Sequence, residues 1–257
     1  MTFSILPEFA LLFALVFARV GTMMMLLPGL GERSAPGRMR LILALFVTLA
    51  IIPIVRSTIP SGALTLQTAV PLLITELLVG FTFGLMGRFL MGSLQTAGVL
   101  ISQQIGLSFT MALDPTGGDR GQSAAISSFL AMLGVSLILA ANLHHVAIAG
   151  IVDSYKTILP GSTPESGDAA QLAILVASSA FSTGVQISAP FLVFGLVFNI
   201  GLGVLSRMMP QLQIFFLAMP AAILLGTVIF IFVLGTMMEG FIGQITTVYR
   251  ELFPGLR

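Results

Sequence analysis

The sequence predicts an all-α fold: a multi-pass helical membrane-type protein whose helices kink or fold back as hairpins. Two observations support this prediction. Hydrophobic residues make up 56% of the 257 residues and charged residues only 8%, whereas soluble domains average about 25% charged residues. The apolar residues also form about six segments that approach the ~20 residues needed to cross a bilayer, and none shows the alternation typical of a strand.

These apolar runs follow one another along the whole chain, and none of the polar stretches between them is long enough to fold separately. In chain order they cover residues 9–30, 41–55, 64–91 with its uncharged continuation at 89–113, 121–152, 169–206 and 208–238. We therefore expect a single helical domain over residues 1–257. The run at 169–206 is too long for one straight span, and Pro190, Pro210 and Pro220 are the expected break points. The motif AANLHHV at 140–146 indicates a polar helix end.

The composition argues against several classes of function. A net charge of +1 does not suit a nucleic-acid surface, which needs clustered Lys and Arg. The chain has no cysteine and two histidines, so little is available to bind a metal. It contains no H-E-x-x-H motif, no G-x-S-x-G motif and no phosphate-binding loop. We therefore expect a protein that is not an enzyme and that needs no cofactor or metal.

Three charged residues interrupt the apolar runs: Arg19, Glu76 and Arg88. A charge at the bilayer centre costs roughly 2.5–3.5 kcal/mol even on insertion scales, so each is expected to face protein or water and to find a partner. Glu76 is predicted to form an interhelical pair with Arg19 or with Arg88. Two alternatives stay open. The charged residues could lie near helix ends, where their side chains reach the membrane interface, or they could line a pathway for protons or ions.

Small residues mark a predicted helix contact in the third apolar run. Gly80 and Gly84 are four residues apart, and Gly87 follows them. Glycines at this spacing let two helix backbones approach closely. We expect this face to be buried against another helix.

Polar residues collect in one stretch, GVLISQQIGLSFTMALDPTGGDRGQSA at 98–124, between two uncharged runs. Gln103 and Gln104 come first and are expected to be polar pore or interhelical residues. Asp114-Pro115 followed by Gly117-Gly118 predicts a turn, because proline fixes φ and glycine adopts positive φ without strain. In an apolar protein, irregular backbone survives at an aqueous surface, inside protein or beside a watery cavity.

Four blocks in order resemble the FliR family of type III secretion export-gate proteins. They are FARVGTMMMLLPGLGERSAPGRMRLILALFVTLAIIP, GVLISQQIGLSFTMALDPTGG, LILAANLHHVAI and RMMPQLQIFFLAMPAAILLG. The resemblance implies a non-enzymatic subunit of the flagellar export gate, built for hetero-oligomeric assembly. Its implied partners are FliP-like and FliQ-like membrane subunits, an FlhB-like switch protein and unfolded export substrates in transit. Its implied location is the bacterial inner membrane, within the flagellar basal body.

The resemblance also implies that the loop at about 106–122 helps to plug the closed pore. Its residues are Gly106, Leu107, Ser108, Phe109, Thr110, Met111, Asp114, Pro115, Thr116, Gly117, Gly118, Asp119 and Arg120. An ordinary solvent-facing connection is the alternative for this loop. For the whole chain, the alternatives are a polytopic solute or ion transporter that uses Glu76 as a binding residue, and a membrane scaffold without a pathway.

Overall fold

The computed structural model describes residues 5–31, 36–59, 66–107, 122–162, 166–209 and 214–253. These residues form seven α-helices and a 3-10 turn, Arg56–Thr58, and no strand occurs among them. The helices are α1 (Ile5–Leu26), α2 (Gly37–Val55), α3 (Leu66–Ile105), α4 (Gln122–Ala140), α5 (Leu143–Thr157), α6 (Ser166–Met208) and α7 (Ile214–Leu252). The all-α prediction is confirmed.

Within the described residues, five helices are long and apolar enough to cross a membrane: α1, α2, α3, α6 and α7. The pair α4 and α5 would make a sixth span, bent by 74°. α3, α6 and α7 have 40, 43 and 39 residues. Each is therefore about 60 Å long at 1.5 Å per residue, twice the hydrocarbon thickness of a bilayer.

Pro190 and Pro220, two of the three expected break points, do not end a helix. α6 continues through Pro190 and α7 through Pro220, while Pro210 lies outside the described residues. A proline inside a helix removes one N–H donor, and the helix continues when the turns on either side keep their hydrogen bonds. The sharp bend instead follows α4, where Asn142 adopts a left-handed conformation with φ 57° just before α5.

The chain forms two compact units, and the long helices belong partly to each. Unit 1 comprises Met1–Leu90, Ser136–Ser178 and Ile245–Arg257, and unit 2 comprises Met91–Val135 and Ser179–Gln244. Val20, Met23 and Tyr155 lie fully buried in the core of unit 1, as do Leu94 and Phe241 in that of unit 2. That the whole chain folds as one domain stays a prediction.

Candidate functional site

A buried ion pair joins α1 to α3 inside unit 1. The Arg19 Nε donates to Glu76 Oε2 at 2.7 Å, and the Arg19 Nη2 donates to Glu76 Oε1 at 3.0 Å. The two side chains are 0% and 2% exposed. This two-bond geometry between a guanidinium and a carboxylate is both strong and orientation-specific. Of the two partners that the sequence left open for Glu76, the structure therefore shows Arg19.

The same guanidinium also holds the end of α5. Arg19 Nη1 donates to the backbone carbonyls of Ser154 at 3.0 Å and Ile158 at 2.9 Å. These carbonyls lie in the last turn of α5 and just after it, where the helix dipole favours a cation. The ring of Tyr155 lies 4.1 Å from Arg19 Cζ, within cation–π distance. One arginine thus connects α1, α3 and α5.

The turn after α5 closes over Glu76. Pro160 of this turn borders the same small cavity as Glu76, and the backbone N–H of Gly161 lies near the Glu76 carboxylate. Gly161 has a φ of 85°, and a Cβ there would lie 2.7 Å from Leu72 Cδ2. The backbone angle therefore favours glycine, whereas the Leu72 methyl group could shift to make room for a Cβ. This turn therefore places a backbone N–H beside the buried Glu76 carboxylate.

The space beside the pair is too small for a solute. A cavity of about 10 Å³ borders Glu76 and Tyr155, and it is otherwise lined by Leu15, Val16, Ile59, Leu72 and Pro160. That volume corresponds to about one water molecule. With its charges matched and its groups bonded, the cluster serves as a structural connection and leaves no room for a ligand.

Sequence reasoning missed most residues of this cluster. Ser154, Tyr155 and Gly161 all fall in the stretch 153–168, whose Lys, Asp and Glu residues indicate a hydrophilic connection in the sequence. The structure instead extends α5 to Thr157. Arg88 of α3, the other predicted charge, is half-buried and forms no ion pair with any described residue.

The predicted glycine face of α3 lies against α1 and the residues that follow it. A Cβ on Gly80 would lie 2.6 Å from the Arg19 carbonyl oxygen, and one on Gly84 would lie 2.7 Å from Leu26 Cβ. A Cβ on Gly87 would lie 2.9 Å from Leu27 Cδ2. Gly80 of α3 contacts the backbone of Arg19 in α1. The close approach of these two helices therefore brings Arg19 within reach of Glu76.

In unit 2, α3 ends in a defined cap directly before the predicted pore loop. Gly106 has a φ of 84°, its N–H donates to the Gln103 carbonyl at 3.2 Å, and the Leu107 N–H donates to the Ser102 carbonyl at 3.0 Å. This pair of bonds is the Schellman motif, which a left-handed glycine makes possible. Gln103 is exposed, and Gln104 is half-buried.

The last turns of α3 are held by three neighbouring helices of unit 2. Gly98 packs against Ser127 of α4, and the Ser127 hydroxyl donates to the Gln95 carbonyl at 3.3 Å. Gly195 of α6 packs against Gln104, and Gly226 of α7 packs against Ile105. The position from which the loop departs is therefore fixed by close contacts.

Most of the predicted plug loop lies outside the described residues. Only Gly106 and Leu107 are described; Ser108, Phe109, Thr110, Met111, Asp114, Pro115, Thr116, Gly117, Gly118, Asp119 and Arg120 are not. Its position in a pore stays a prediction.

The histidine pair sits at the sharp bend. His144 and His145 occupy the first turn of α5, with ring centroids 4.1 Å apart. Over the described part of the chain, no group of three or more His, Cys, Asp or Glu side chains could hold a metal ion.

Long apolar helices, an internally neutralised charge cluster and close glycine contacts together define a multi-pass helical protein of the membrane class. The chain belongs to the family described as bacterial export proteins, family 1, whose model matches residues 10–248. The resemblance found in the sequence is thereby confirmed.

Similar proteins carry the name "Flagellar biosynthetic protein FliR". The one from Caulobacter vibrioides is 43% identical over 240 residues, which are 93% of each chain. The one from Escherichia coli is 31% identical over 201 residues, 77% of this chain and 75% of that relative. The one from Bacillus subtilis is 30% identical over 223 residues, 85% and 84% of the two chains.

Proposed function

We propose that this chain is a non-enzymatic, FliR-type subunit of the bacterial flagellar type III export gate. It assembles with FliP-like and FliQ-like membrane subunits into the pore for unfolded export substrates, and an FlhB-like switch protein docks on the assembly. It resides in the bacterial inner membrane, within the flagellar basal body. The observation that carries the proposal is the 43% identity to the Caulobacter vibrioides protein along 93% of both chains.

The surface of unit 2 supports a role inside an assembly. Large apolar side chains stay exposed along α6 and α7, among them Val193 and Val197 on α6 and Ile231 and Phe232 on α7, with Phe232 82% exposed. Many large apolar side chains exposed on the same helices need cover from lipid or from other subunits. Hetero-oligomeric assembly supplies that cover.

The contacts of Glu76 argue against the alternative that the chain is a transporter. It required Glu76 as a binding group, yet both carboxylate oxygens of Glu76 accept hydrogen bonds from Arg19. The adjoining cavity, at about 10 Å³, holds no more than a water molecule. These contacts favour the export-gate subunit.

Co-purification tests the proposal. A tagged copy expressed in cells that lack their own copy should restore motility and retain small membrane proteins in unequal stoichiometry. A chain that purifies alone or as a homo-oligomer, and that leaves the cells non-motile, would refute the proposed function.

We further propose that the loop at 106–122 helps to plug the closed pore. The Schellman cap at Gly106 starts the loop from a fixed helix end, Phe109 and Met111 provide apolar bulk, and Gly117-Gly118 provides pliability. Deleting Thr116–Arg120 should leave the assembly intact and make the membrane leaky to small ions. A deletion of residues 163–165, in the connection between α5 and α6, should not. Equal ion permeability of the two variants would refute the plug.

A further inference from the structure

The packing around α3 changes abruptly at its last residue, Ile105. The Ile105 side chain is 1% exposed. A Cβ on Gly226 of α7 would lie 2.5 Å from Ile105 Cγ1 and 3.2 Å from Ile105 Cβ. A Cβ on the next residue of the chain, Gly106, would meet nothing within 4 Å. Close packing therefore gives way to open space within one residue, at the start of the loop at 106–122.

The preceding residue, Gln104, rests on a glycine of a different helix. A Cβ on Gly195 of α6 would collide with Gln104 Oε1 and would lie 2.9 Å from Gln104 Cδ. Carbon atoms in contact are ordinarily about 3.5–4.0 Å apart. The Asn199 Nδ2 donates to the Gly195 carbonyl at 2.7 Å. Gly195 and Gly226 thus leave the space that two consecutive residues of α3 occupy.

A displacement of these two residues would be passed on to the start of the loop. The Gly106 N–H donates to the Gln103 carbonyl and the Leu107 N–H to the Ser102 carbonyl, so the cap is bonded to the same last turn of α3. Protein interiors are close-packed, and a shift at a buried contact moves the neighbouring turn instead of being absorbed. A side chain at position 195 or 226 would therefore move the point from which the loop departs.

We propose that Gly195 and Gly226 are positioning residues for the closed state of the export pathway. Their contacts with Gln104 and Ile105 hold the end of α3 in its closed position, and opening separates the end of α3 from both glycines. This inference rests on the proposed plug at 106–122 and deepens it, because it names residues of α6 and α7 on which the closed position depends.

Single alanine substitutions test the proposal through the ion permeability of cells that carry the assembled complex. Gly195→Ala and Gly226→Ala each overpack the closed arrangement and should raise permeability by about tenfold, which corresponds to about 1.4 kcal/mol in the equilibrium between closed and open forms. Gly201→Ala on α6 and Gly235→Ala on α7 are matched controls, because their Cβ atoms meet nothing within 4 Å. These controls should leave permeability unchanged.

A double variant separates positioning from a change in helix propensity. Gln104→Ala removes the Oε1 and Cδ atoms that the added Cβ of Gly195→Ala would meet. Gly195→Ala/Gln104→Ala should therefore return permeability towards that of the parent. An effect of helix propensity alone would not be reversed, because the residue at position 195 is alanine in both variants.

Three outcomes would overturn the proposal. The first is equal permeability of the glycine variants and their controls, and the second is a leak that the double variant keeps. The third is a loss of co-purifying subunits in Gly195→Ala or Gly226→Ala, because misassembly would then explain the leak. The deletion of Thr116–Arg120 distinguishes this failure from a failure of the plug. If the deletion leaks and the glycine variants do not, the plug stands and the positioning role of the glycines is refuted.

Discussion

Removing the Glu76 carboxylate should destabilise unit 1 strongly. Glu76→Ala deletes two charge-assisted hydrogen bonds, of 2.7 and 3.0 Å, each worth about 1.5–3 kcal/mol. The sum agrees with the roughly 3–5 kcal/mol lost when one partner of a buried pair is removed. In this variant Arg19 stays charged, because a guanidinium does not lose its proton in a protein. It still donates hydrogen bonds to the Ser154 and Ile158 carbonyls.

The assay is thermal unfolding of the purified, detergent-solubilised protein. A loss of 3–5 kcal/mol lowers the Tm by about 6–20 °C for a chain of this size. Arg19→Leu should have an effect of similar size, because it leaves the buried Glu76 carboxylate without its counter-charge. The double variant Glu76→Ala/Arg19→Leu should lose much less free energy of unfolding than the two single variants lose together. The reason is that it leaves no unpaired buried charge.

Arg88→Ala is the matched control, since it removes a half-buried charge from the same helix without breaking an ion pair among the described residues. Its Tm should stay close to that of the parent. If Glu76→Ala costs less than about 1 kcal/mol, as exposed pairs do, the cluster does not hold the three helices together. Strictly additive losses in the double variant would lead to the same conclusion.

Two glycine pairs give further predictions, measured by the same unfolding experiment. Gly80→Ala should lower the free energy of unfolding by about 1–3 kcal/mol through overpacking, because the added Cβ meets the Arg19 carbonyl oxygen. Gly92→Ala lies on the same helix, and its Cβ meets nothing within 4 Å. This control should raise the free energy of unfolding by up to about 1 kcal/mol. Equal effects would show that α1 does not approach α3 closely. Gly161→Ala should cost about 1–2 kcal/mol because of its positive φ, and Gly167→Ala, which faces open space, should be nearly neutral. A neutral Gly161→Ala would mean that position 161 does not need its left-handed conformation in this turn.

Much of the fold followed from the sequence, because the signals were local. Apolar length identifies long helices, and the spacing of Gly80 and Gly84 identifies a face that another helix contacts. The cost of a buried charge limited Glu76 to two candidate partners. Each of these inferences needs only the chemistry of one segment.

The rest depended on contacts between distant segments. No local sequence pattern shows that the Ser154 and Ile158 carbonyls accept hydrogen bonds from an arginine in the first helix. The polar residues at 153–168 obscured the end of α5, because composition does not distinguish a helix end facing protein from one facing water. Pro190 and Pro220 do not end a helix for a related reason: the lost backbone hydrogen bond costs less free energy than the packing of the surrounding turns supplies, so α6 and α7 continue.

The buried arginine has a consequence for how the chain is made. Glu76 follows Arg19 by 57 residues, and the Ser154 and Ile158 carbonyls follow it by 135 and 139. At about 5–20 residues per second, α1 leaves the ribosome several seconds before its counter-charge exists. During that interval a lone arginine in the bilayer carries an insertion cost of about 2.5–3.5 kcal/mol. Stable integration of the first helix therefore waits for the third, and the order of synthesis becomes part of the folding pathway.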